Sequence, residues 1–135
     1  MSAGRRKAIF GSIAFIIYLG IFIMSSLPAA SLPRNIPDII PHFLQYALLA
    51  FFFVQVFNAP GSMKTMVLAF SLLLISGLLD EAHQAFVPGR FCSLKDLAFD
   101  MLGSACGLLV YRLTARVRNG ISGGICRSDN AGNGS

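Results

Sequence analysis

The residues most able to do chemistry in this sequence lie near the ends of apolar segments, in pairs four residues apart. Residues with that spacing share one face of a helix, so each pair would present two polar groups in the same direction. Carboxylates and imidazoles held in this way can bind ligands or transfer protons. The sequence therefore predicts a polar cluster if three helices bring these faces together. The pairs are His42 with Tyr46, Asp80 with Gln84, and Asp96 with Asp100.

The segments that would position these residues are apolar enough to cross a membrane. Of the 135 residues, 55% are hydrophobic and only 13% are charged. An apolar run of about 20 residues spans the hydrocarbon core of a bilayer. We expect an all-α, four-helix transmembrane bundle over residues 1–118, followed by a flexible cytoplasmic tail over 119–135 that is rich in Gly, Ser and Asn. The predicted helices cover about 8–26, 38–57, 63–86 and 94–113.

The third predicted helix must carry acidic residues into the membrane. Its uncharged stretch, 65–79, has 15 residues, and at about 1.5 Å each these reach only about 22 Å. A spanning helix needs about 30 Å. It therefore has to continue through Asp80 and Glu81, which places both carboxylates inside the membrane boundary.

Ser93 is the expected N-cap of the fourth predicted helix. The spacing of Ser93 and Asp96 fits a capping box, in which each side chain accepts a hydrogen bond from the backbone amide of the other residue. Asp100 lies seven residues past this cap, which is about 10 Å along the helix. A charged side chain facing lipid costs at least about 2.5 to 3.5 kcal/mol. We therefore expect Asp100 to face the bundle and either to find a partner or to become protonated, and the planar guanidinium of Arg90 is the natural partner.

The basic residues predict the orientation. With both termini in the cytoplasm, eight Lys and Arg residues lie on the cytoplasmic side and three lie outside, namely Arg34, Arg90 and Lys95. An excess of this kind marks the cytoplasmic side. We expect a multi-pass protein of the cell membrane (the cytoplasmic or inner membrane) whose acidic residues gather at the exterior face. A cleavable signal peptide is the alternative for the first helix, although its apolar run is longer than the usual run of about 7 to 15 residues.

Several other classes of site find little support in the sequence. The net charge of +5 comes from basic residues that flank apolar runs rather than from a stripe interleaved with aromatics, so no nucleic-acid partner is expected. The three cysteines, Cys92, Cys106 and Cys126, show neither a disulfide framework nor a CxxC pair. Imidazole and carboxylates could converge on a metal, but no HExxH or comparable spacing occurs, so we predict no metal site and no cofactor.

Residues in three predicted helices and one loop resemble the VanZ-like family of bacterial membrane proteins. The family pattern has HF-x-x-Y opening a helix, E-x-x-Q ending the next, P-G-R in the loop and D-x-x-x-N-x-x-G in the last. The resemblance covers the second to fourth predicted helices, and Asp100 departs from it by standing where asparagine is expected. The matching residues are His42, Phe43, Tyr46, Glu81, Gln84, Pro88, Gly89, Arg90, Asp96 and Gly103.

This resemblance implies a small multi-helix membrane protein and no particular reaction. One family member is associated with resistance to the antibiotic teicoplanin, but a shared fold does not transfer that role to this chain. Our leading hypothesis is a polar pocket at the exterior membrane face that binds an envelope lipid or another amphiphile. The predicted ligand-binding residues are His42, Tyr46, Glu81, Gln84, Arg90, Asp96 and Asp100.

Two alternatives remain open at this point. The first is a membrane-embedded enzyme acting on an envelope lipid, with Glu81 or His42 as the general acid or base. The second is a structural or assembly subunit without a ligand. Membrane lipids are the expected partners in each case. Gly103 and Gly107 form a GxxxG segment, which favours close helix contact and self-association.

Overall fold

The computed structural model describes residues 2–31 and 37–131, with side chains described as far as Arg118. Two short 3₁₀ segments, Ala29–Ser31 and Val54–Val56, accompany the α-helices. The described residues contain no strand, which confirms the predicted all-α, four-helix architecture. The helices are α1 (Ala3–Ser25), α2 (Ile39–Phe53), α3 (Met63–Gln84) and α4 (Leu94–Ala131).

All four helices are long and apolar enough to cross a membrane. The candidate spans are Ala3–Ser25, Ile39–Val56, Met63–Gln84 and Leu94–Arg118. Large apolar side chains cover their outer surfaces; Phe15 and Ile16, for example, are 65% and 67% exposed. Such surfaces suit a lipid environment, because lipid tails are as apolar as the side chains that face them. The chain is therefore a helical membrane protein.

Serine side chains begin three of the helices. Ser2 and Ser62 accept hydrogen bonds from the amides of Arg5 and Thr65, at 3.3 and 3.2 Å. The predicted cap of α4 is also present, since the Asp96 amide donates to Ser93 Oγ at 3.3 Å. These hydroxyls satisfy amides that have no partner within the helix. α1 begins five residues earlier than predicted because this cap starts the helix before the basic residues.

The tightest helix pair is α2 with α4, and two glycines make it possible. A Cβ atom added to Gly103 would overlap the backbone carbonyl of Phe43, and one added to Gly107 would overlap that of Ala47. The close helix contact predicted for the GxxxG segment is thus confirmed, and it forms within one chain. Self-association through the same glycines stays a prediction, and it would have to displace α2 from this surface.

The backbone of α4 continues past the predicted helix end at 113 and is helical to Ala131. The flexible cytoplasmic tail expected over 119–135 stays a prediction. Extending an existing helix avoids the unfavourable nucleation step, so even a segment rich in Gly and Ser can continue it. Residues 132–135 lie outside the described residues.

Candidate functional site

The predicted site residues gather at one end of the bundle, where α1 and α3 end and α2 and α4 begin. We call this the polar end. Five of the seven predicted ligand-binding residues are buried there, and the other two, Arg90 and Asp96, are half-buried. They divide between two adjacent networks, which have different chemistry. The buried five are His42, Tyr46, Glu81, Gln84 and Asp100.

The first network is an acid–imidazole cluster made of His42, Glu81 and Asp100. His42 Nδ1 lies 2.9 Å from Asp100 Oδ1, and the side chains of these two residues are 9% and 0% exposed. Glu81, 2% exposed, joins them from α3. One nitrogen or oxygen atom from each residue lies within 4.8 Å of the other two. Three separate helices therefore deliver three ionisable groups to one buried point.

Small residues allow these helices to converge. Gly103 follows Asp100 by one turn of α4, and its contact with the Phe43 carbonyl places α4 beside the residue next to His42. On α3, a Cβ atom at Gly77 would lie 3.0 Å from Leu97 Cδ1 and 3.5 Å from Asp100 Oδ2. Larger residues at these positions would separate α4 from α2 and α3. The glycine positions thus set the distances within the cluster.

Two carboxylate oxygens of the cluster lack a partner among the described residues. Glu81 Oε2 accepts a hydrogen bond from the Ser93 amide at 2.6 Å, but Glu81 Oε1 and Asp100 Oδ2 are buried without any. Tyr46 lies close enough to Asp100 for the two to interact electrostatically. Buried acceptors are nearly always satisfied in folded proteins. The two oxygens are therefore available to a donor or a cation.

Asp96 adds a third carboxylate at the edge of the cluster. It interacts electrostatically with His42, Glu81 and Asp100. In a full capping box its side chain would serve the Ser93 amide, but Glu81 takes that role, which leaves the Asp96 carboxylate directed elsewhere. Among the described residues, no Lys or Arg forms an ion pair with these three acids. The cluster is therefore rich in negative charge, with one imidazole to balance it.

The second network is built around Arg90 and differs from our expectation. Arg90 does not pair with Asp100, whose partner is His42. Its guanidinium instead donates to Gln84 Oε1 at 3.0 Å and to the carbonyls of Leu27 and Met24, both at 3.3 Å. Met24 lies in the last turn of α1 and Leu27 follows its C-terminus, where carbonyls lack helical partners and the helix dipole attracts a cation.

The turn before Arg90 accounts for this direction. Gly89 has a φ of +76°, a conformation that L side chains rarely adopt, so glycine is needed at this position. The Pro88 carbonyl accepts a hydrogen bond from the Ala29 amide at 3.3 Å, which fastens the turn to the segment after α1. The P-G-R motif therefore closes the polar end over α1 rather than over α4.

Asp80 completes the second network. Its Oδ2 accepts hydrogen bonds from Ser25 Oγ at 2.8 Å and from Gln84 Nε2 at 2.9 Å. Nearby, Ser26 Oγ lies 3.0 Å from His83 Nε2. We did not predict Ser25 or Ser26 as members of the cluster. Two adjacent hydroxyls at the end of an otherwise apolar helix, at the same membrane face as Asp80, were the available signal.

An apolar cavity of about 460 Å³ lies between α1, α2 and α3 and is open to the surroundings, since Phe15 and Leu79 in its lining are 65% and 62% exposed. Ser76 is its main polar lining residue apart from Tyr18, and it precedes Asp80 by one helical turn. The cavity thus reaches the level just beneath the polar end. Its lining residues are Gly11, Ala14, Phe15, Tyr18, Leu49, Phe53, Val56, Leu72, Leu73, Ile75, Ser76 and Leu79.

The fold and the site together define a helical membrane protein with a buried acid–imidazole cluster at one end of four apolar helices. The family model VanZ/LLP1 matches residues 2–115, and the chain belongs to this family. The match includes α1, which lay outside the motifs that suggested the resemblance. No curated protein and no solved structure shows significant similarity to the chain.

Proposed function

We propose that this protein binds an amphiphilic molecule of the cell envelope at the outer face of the cytoplasmic membrane. Its apolar chain would occupy the cavity between α1, α2 and α3, and its polar group would lie at the polar end. The observation that carries this proposal is the lining of the cavity, which is apolar and reaches Ser76, one helical turn before the buried Asp80. An apolar space topped by polar groups matches the two halves of an amphiphile.

The lining of the cavity favours a lipid-like chain. Almost all of it is aliphatic or aromatic, and its volume of about 460 Å³ falls in the range of about 300 to 1,000 Å³ typical of small-molecule sites. Lipid tails are the solvent at this depth, so they are the molecules that reach it. The charge distribution of the sequence supports the placement of the polar end outside, since most basic residues lie toward the other end.

The free groups at the polar end restrict the polar part of the ligand. Each guanidinium nitrogen of Arg90 donates one hydrogen bond within the chain, which uses three of about five N–H groups, and Gln84 bonds to both Asp80 and Arg90. The buried side-chain atoms without a partner among the described residues are carboxylate oxygens of Glu81 and Asp100 and the hydroxyls of Tyr46, Ser76 and Ser104. The carboxylate oxygens accept, and a hydroxyl can accept as well as donate, so a head group with hydroxyl, amine or other donor groups fits best. An anionic head group would have to use the remaining N–H groups of Arg90, unless its hydrogen bonds to the carbonyls of Met24 and Leu27 were broken.

Filling the cavity tests the proposal. A Cβ atom at Gly11 would meet its nearest neighbour, Val56 Cγ2, at 3.8 Å, which is an ordinary contact. Gly11→Leu therefore places a side chain at the cavity wall without a backbone clash, and replacing glycine within a helix favours folding by up to about 1 kcal/mol. Gly20→Leu is the matched control, because a Cβ atom there meets nothing within 4 Å.

The measurement is the lipid composition of the purified protein in polymer-bounded native membrane discs. We expect wild type and Gly20→Leu to enrich one lipid class over the surrounding membrane, and Gly11→Leu to lose that enrichment while keeping wild-type abundance. Identical lipid composition in all three proteins would show that the cavity selects no ligand and would end the proposal. A comparison of whole-membrane lipids with and without the protein then identifies the class affected in cells.

A second candidate function is favoured by one specific observation. His42 is hydrogen-bonded to Asp100, an arrangement in which a carboxylate orients an imidazole for proton transfer, and Glu81 lies within reach of both. A membrane-embedded enzyme would use His42 or Glu81 as the general acid or base. Conversion of the enriched lipid by the purified protein, abolished in Glu81→Gln while binding persists, would favour the enzyme over the binding protein.

A further inference from the structure

We infer that His42, Glu81 and Asp100 bind one divalent metal ion of the class that mixed nitrogen and oxygen ligands select, such as Zn²⁺ or Mn²⁺. The three residues are only 7%, 2% and 0% exposed. Each offers one ligand atom, and these atoms lie within 4.8 Å of one another. The ion would use the same carboxylates that the proposed head group would otherwise meet, so in the loaded protein a head group would meet the ion. The inference stands on the cluster alone and does not depend on amphiphile binding.

The distances suit a shared ion. Neighbouring ligands about 2.1 Å from an ion lie about 3.0 Å apart in an octahedral site and about 3.4 Å apart in the tetrahedral site that Zn²⁺ prefers. His42 Nδ1 and Asp100 Oδ1 are 2.9 Å apart. The ligand atoms of the three residues lie within 4.8 Å of one another, so side-chain rotation would bring the more distant atoms to these separations. A hydrogen bond between His42 and Asp100 explains the 2.9 Å distance equally well. The charges of the cluster are therefore needed to distinguish a hydrogen bond from a shared ion.

The charges favour a cation. Glu81 Oε1 and Asp100 Oδ2 are buried and have no hydrogen-bonding partner among the described residues, and Asp96 adds negative charge beside them. A single imidazole cannot neutralise three carboxylates, and no described Lys or Arg pairs with them. One divalent ion bound by Glu81 Oε1 and by either carboxylate oxygen of Asp100 would give the buried acids a partner and offset the repulsion between them.

The surroundings hold the ligands in place, as metal sites require. The Ser93 amide donates to Glu81 Oε2 at 2.6 Å, which fixes that carboxylate and leaves Oε1 free. Gly77 and Gly103 keep α4 close to its neighbours. The sequence predicted no metal site because the known metal motifs place their ligands at fixed spacings along one segment. Here the ligands come one from each of three helices, and no short motif encodes such a set.

Metal binding by the intact protein tests the inference directly. The protein is purified in detergent through a tag without histidine, stripped with EDTA, and titrated with ZnCl₂ or MnCl₂ alone. We expect about one ion per chain by elemental mass spectrometry, and pulsed electron paramagnetic resonance of the Mn²⁺ form should show coupling to one imidazole nitrogen. Heat-induced unfolding of the stripped and loaded protein supplies an independent readout, because an ion that binds only the folded state raises the unfolding temperature.

Three variants locate the ion. Glu81→Gln and Asp100→Asn each remove one anionic ligand while keeping its shape, and each should weaken ion affinity by more than about tenfold, since even partners outside the ligand shell contribute about 10- to 100-fold. Asp80→Asn is the matched control. It removes a neighbouring buried carboxylate whose bound oxygen contacts Ser25 and Gln84 instead, so its affinity should stay near wild type.

Comparing the heat-induced unfolding of the metal-free proteins distinguishes a variant that has lost the ion from one that no longer folds. If Glu81→Gln fails to fold, Asp100→Asn provides the test of ion binding. Asparagine stands at this position in the family pattern and can still form a hydrogen bond with His42. The inference is overturned if the folded wild type binds neither ion saturably at millimolar concentration. It is also overturned if a folded Asp100→Asn protein keeps wild-type affinity, or if Asp80→Asn loses as much affinity as the cluster variants.

Discussion

Replacing Arg90 by lysine tests whether Arg90 binds a ligand or acts as a structural clamp. By a clamp we mean that its hydrogen bonds hold the end of α1 against Gln84. Lysine keeps the positive charge but has one compact ammonium group in place of the planar fork. In the structure the fork reaches three acceptors, Gln84 Oε1 and the carbonyls of Met24 and Leu27. A single ammonium cannot hold all three, so we expect Arg90→Lys to lose two of these hydrogen bonds and to loosen the end of α1.

The size of the effect follows from the exposure and length of those bonds. Hydrogen bonds to charged groups contribute about 1.5 to 3 kcal/mol each when well made. Two of the three hydrogen bonds are 3.3 Å long, and Arg90 is half-buried. Each lost hydrogen bond should therefore contribute about 1.5 kcal/mol or less. We expect a loss of about 2 to 3 kcal/mol in the free energy of unfolding, or about 30- to 140-fold in the unfolding equilibrium.

The assay is equilibrium unfolding in mixed micelles with an increasing fraction of denaturing detergent, alongside membrane abundance. Arg116→Lys is the matched control, because Arg116 lies exposed on α4 away from the polar end. The clamp interpretation fails if Arg90→Lys unfolds like wild type yet loses lipid enrichment, since Arg90 would then act on the ligand. Reduced stability in Arg90→Lys with unchanged stability in Arg116→Lys supports the clamp.

Other positions give further tests. Gly107→Leu should lower the free energy of unfolding by at least about 1 to 3 kcal/mol, because its Cβ would overlap the Ala47 carbonyl; unchanged unfolding in mixed micelles would place α4 elsewhere. Gly89→Ala should cost about 1 to 2 kcal/mol in the same assay, since its φ of +76° disfavours any side chain, and a neutral result would show that the turn adapts. For the proposed orientation, an impermeant maleimide on intact cells, with any outer membrane permeabilised, should label the exposed Cys92 but not Cys126; the reverse labelling would invert the topology.

The positions of the charges made the length of α3 predictable. Its uncharged stretch is too short to span a membrane, which required the helix to continue past Asp80 and Glu81, and it ends at Gln84. The cap at Ser93 was equally readable, because capping depends on side chains only three residues apart. Local spacing and bilayer thickness thus determined where the helices run. They also indicated that the acids, His42 and Arg90 would share one end of the bundle.

The partners within that end were not predictable in the same way. Whether Asp100 meets His42 or Arg90 depends on how each helix is rotated about its axis and how closely α4 approaches α2. The glycine contacts at Phe43 and Ala47 fix that approach, but the sequence does not say which helix faces the GxxxG segment. Likewise, the positive φ of Gly89 turns Arg90 toward α1, and no spacing rule encodes the direction of a turn.

Because Arg90 bonds to the end of α1 rather than to Asp100, the two networks have different roles. The Arg90 network uses its donors and acceptors on one another: Asp80 Oδ2 has two donors, and the guanidinium has three acceptors. A network of this kind stabilises helix packing and offers little to a ligand. The acid–imidazole cluster has the opposite balance, with buried oxygens on Glu81 and Asp100 left over. Burial of unsatisfied acceptors costs stability, so these oxygens, rather than the guanidinium, are where a ligand or an ion gains the most free energy by binding.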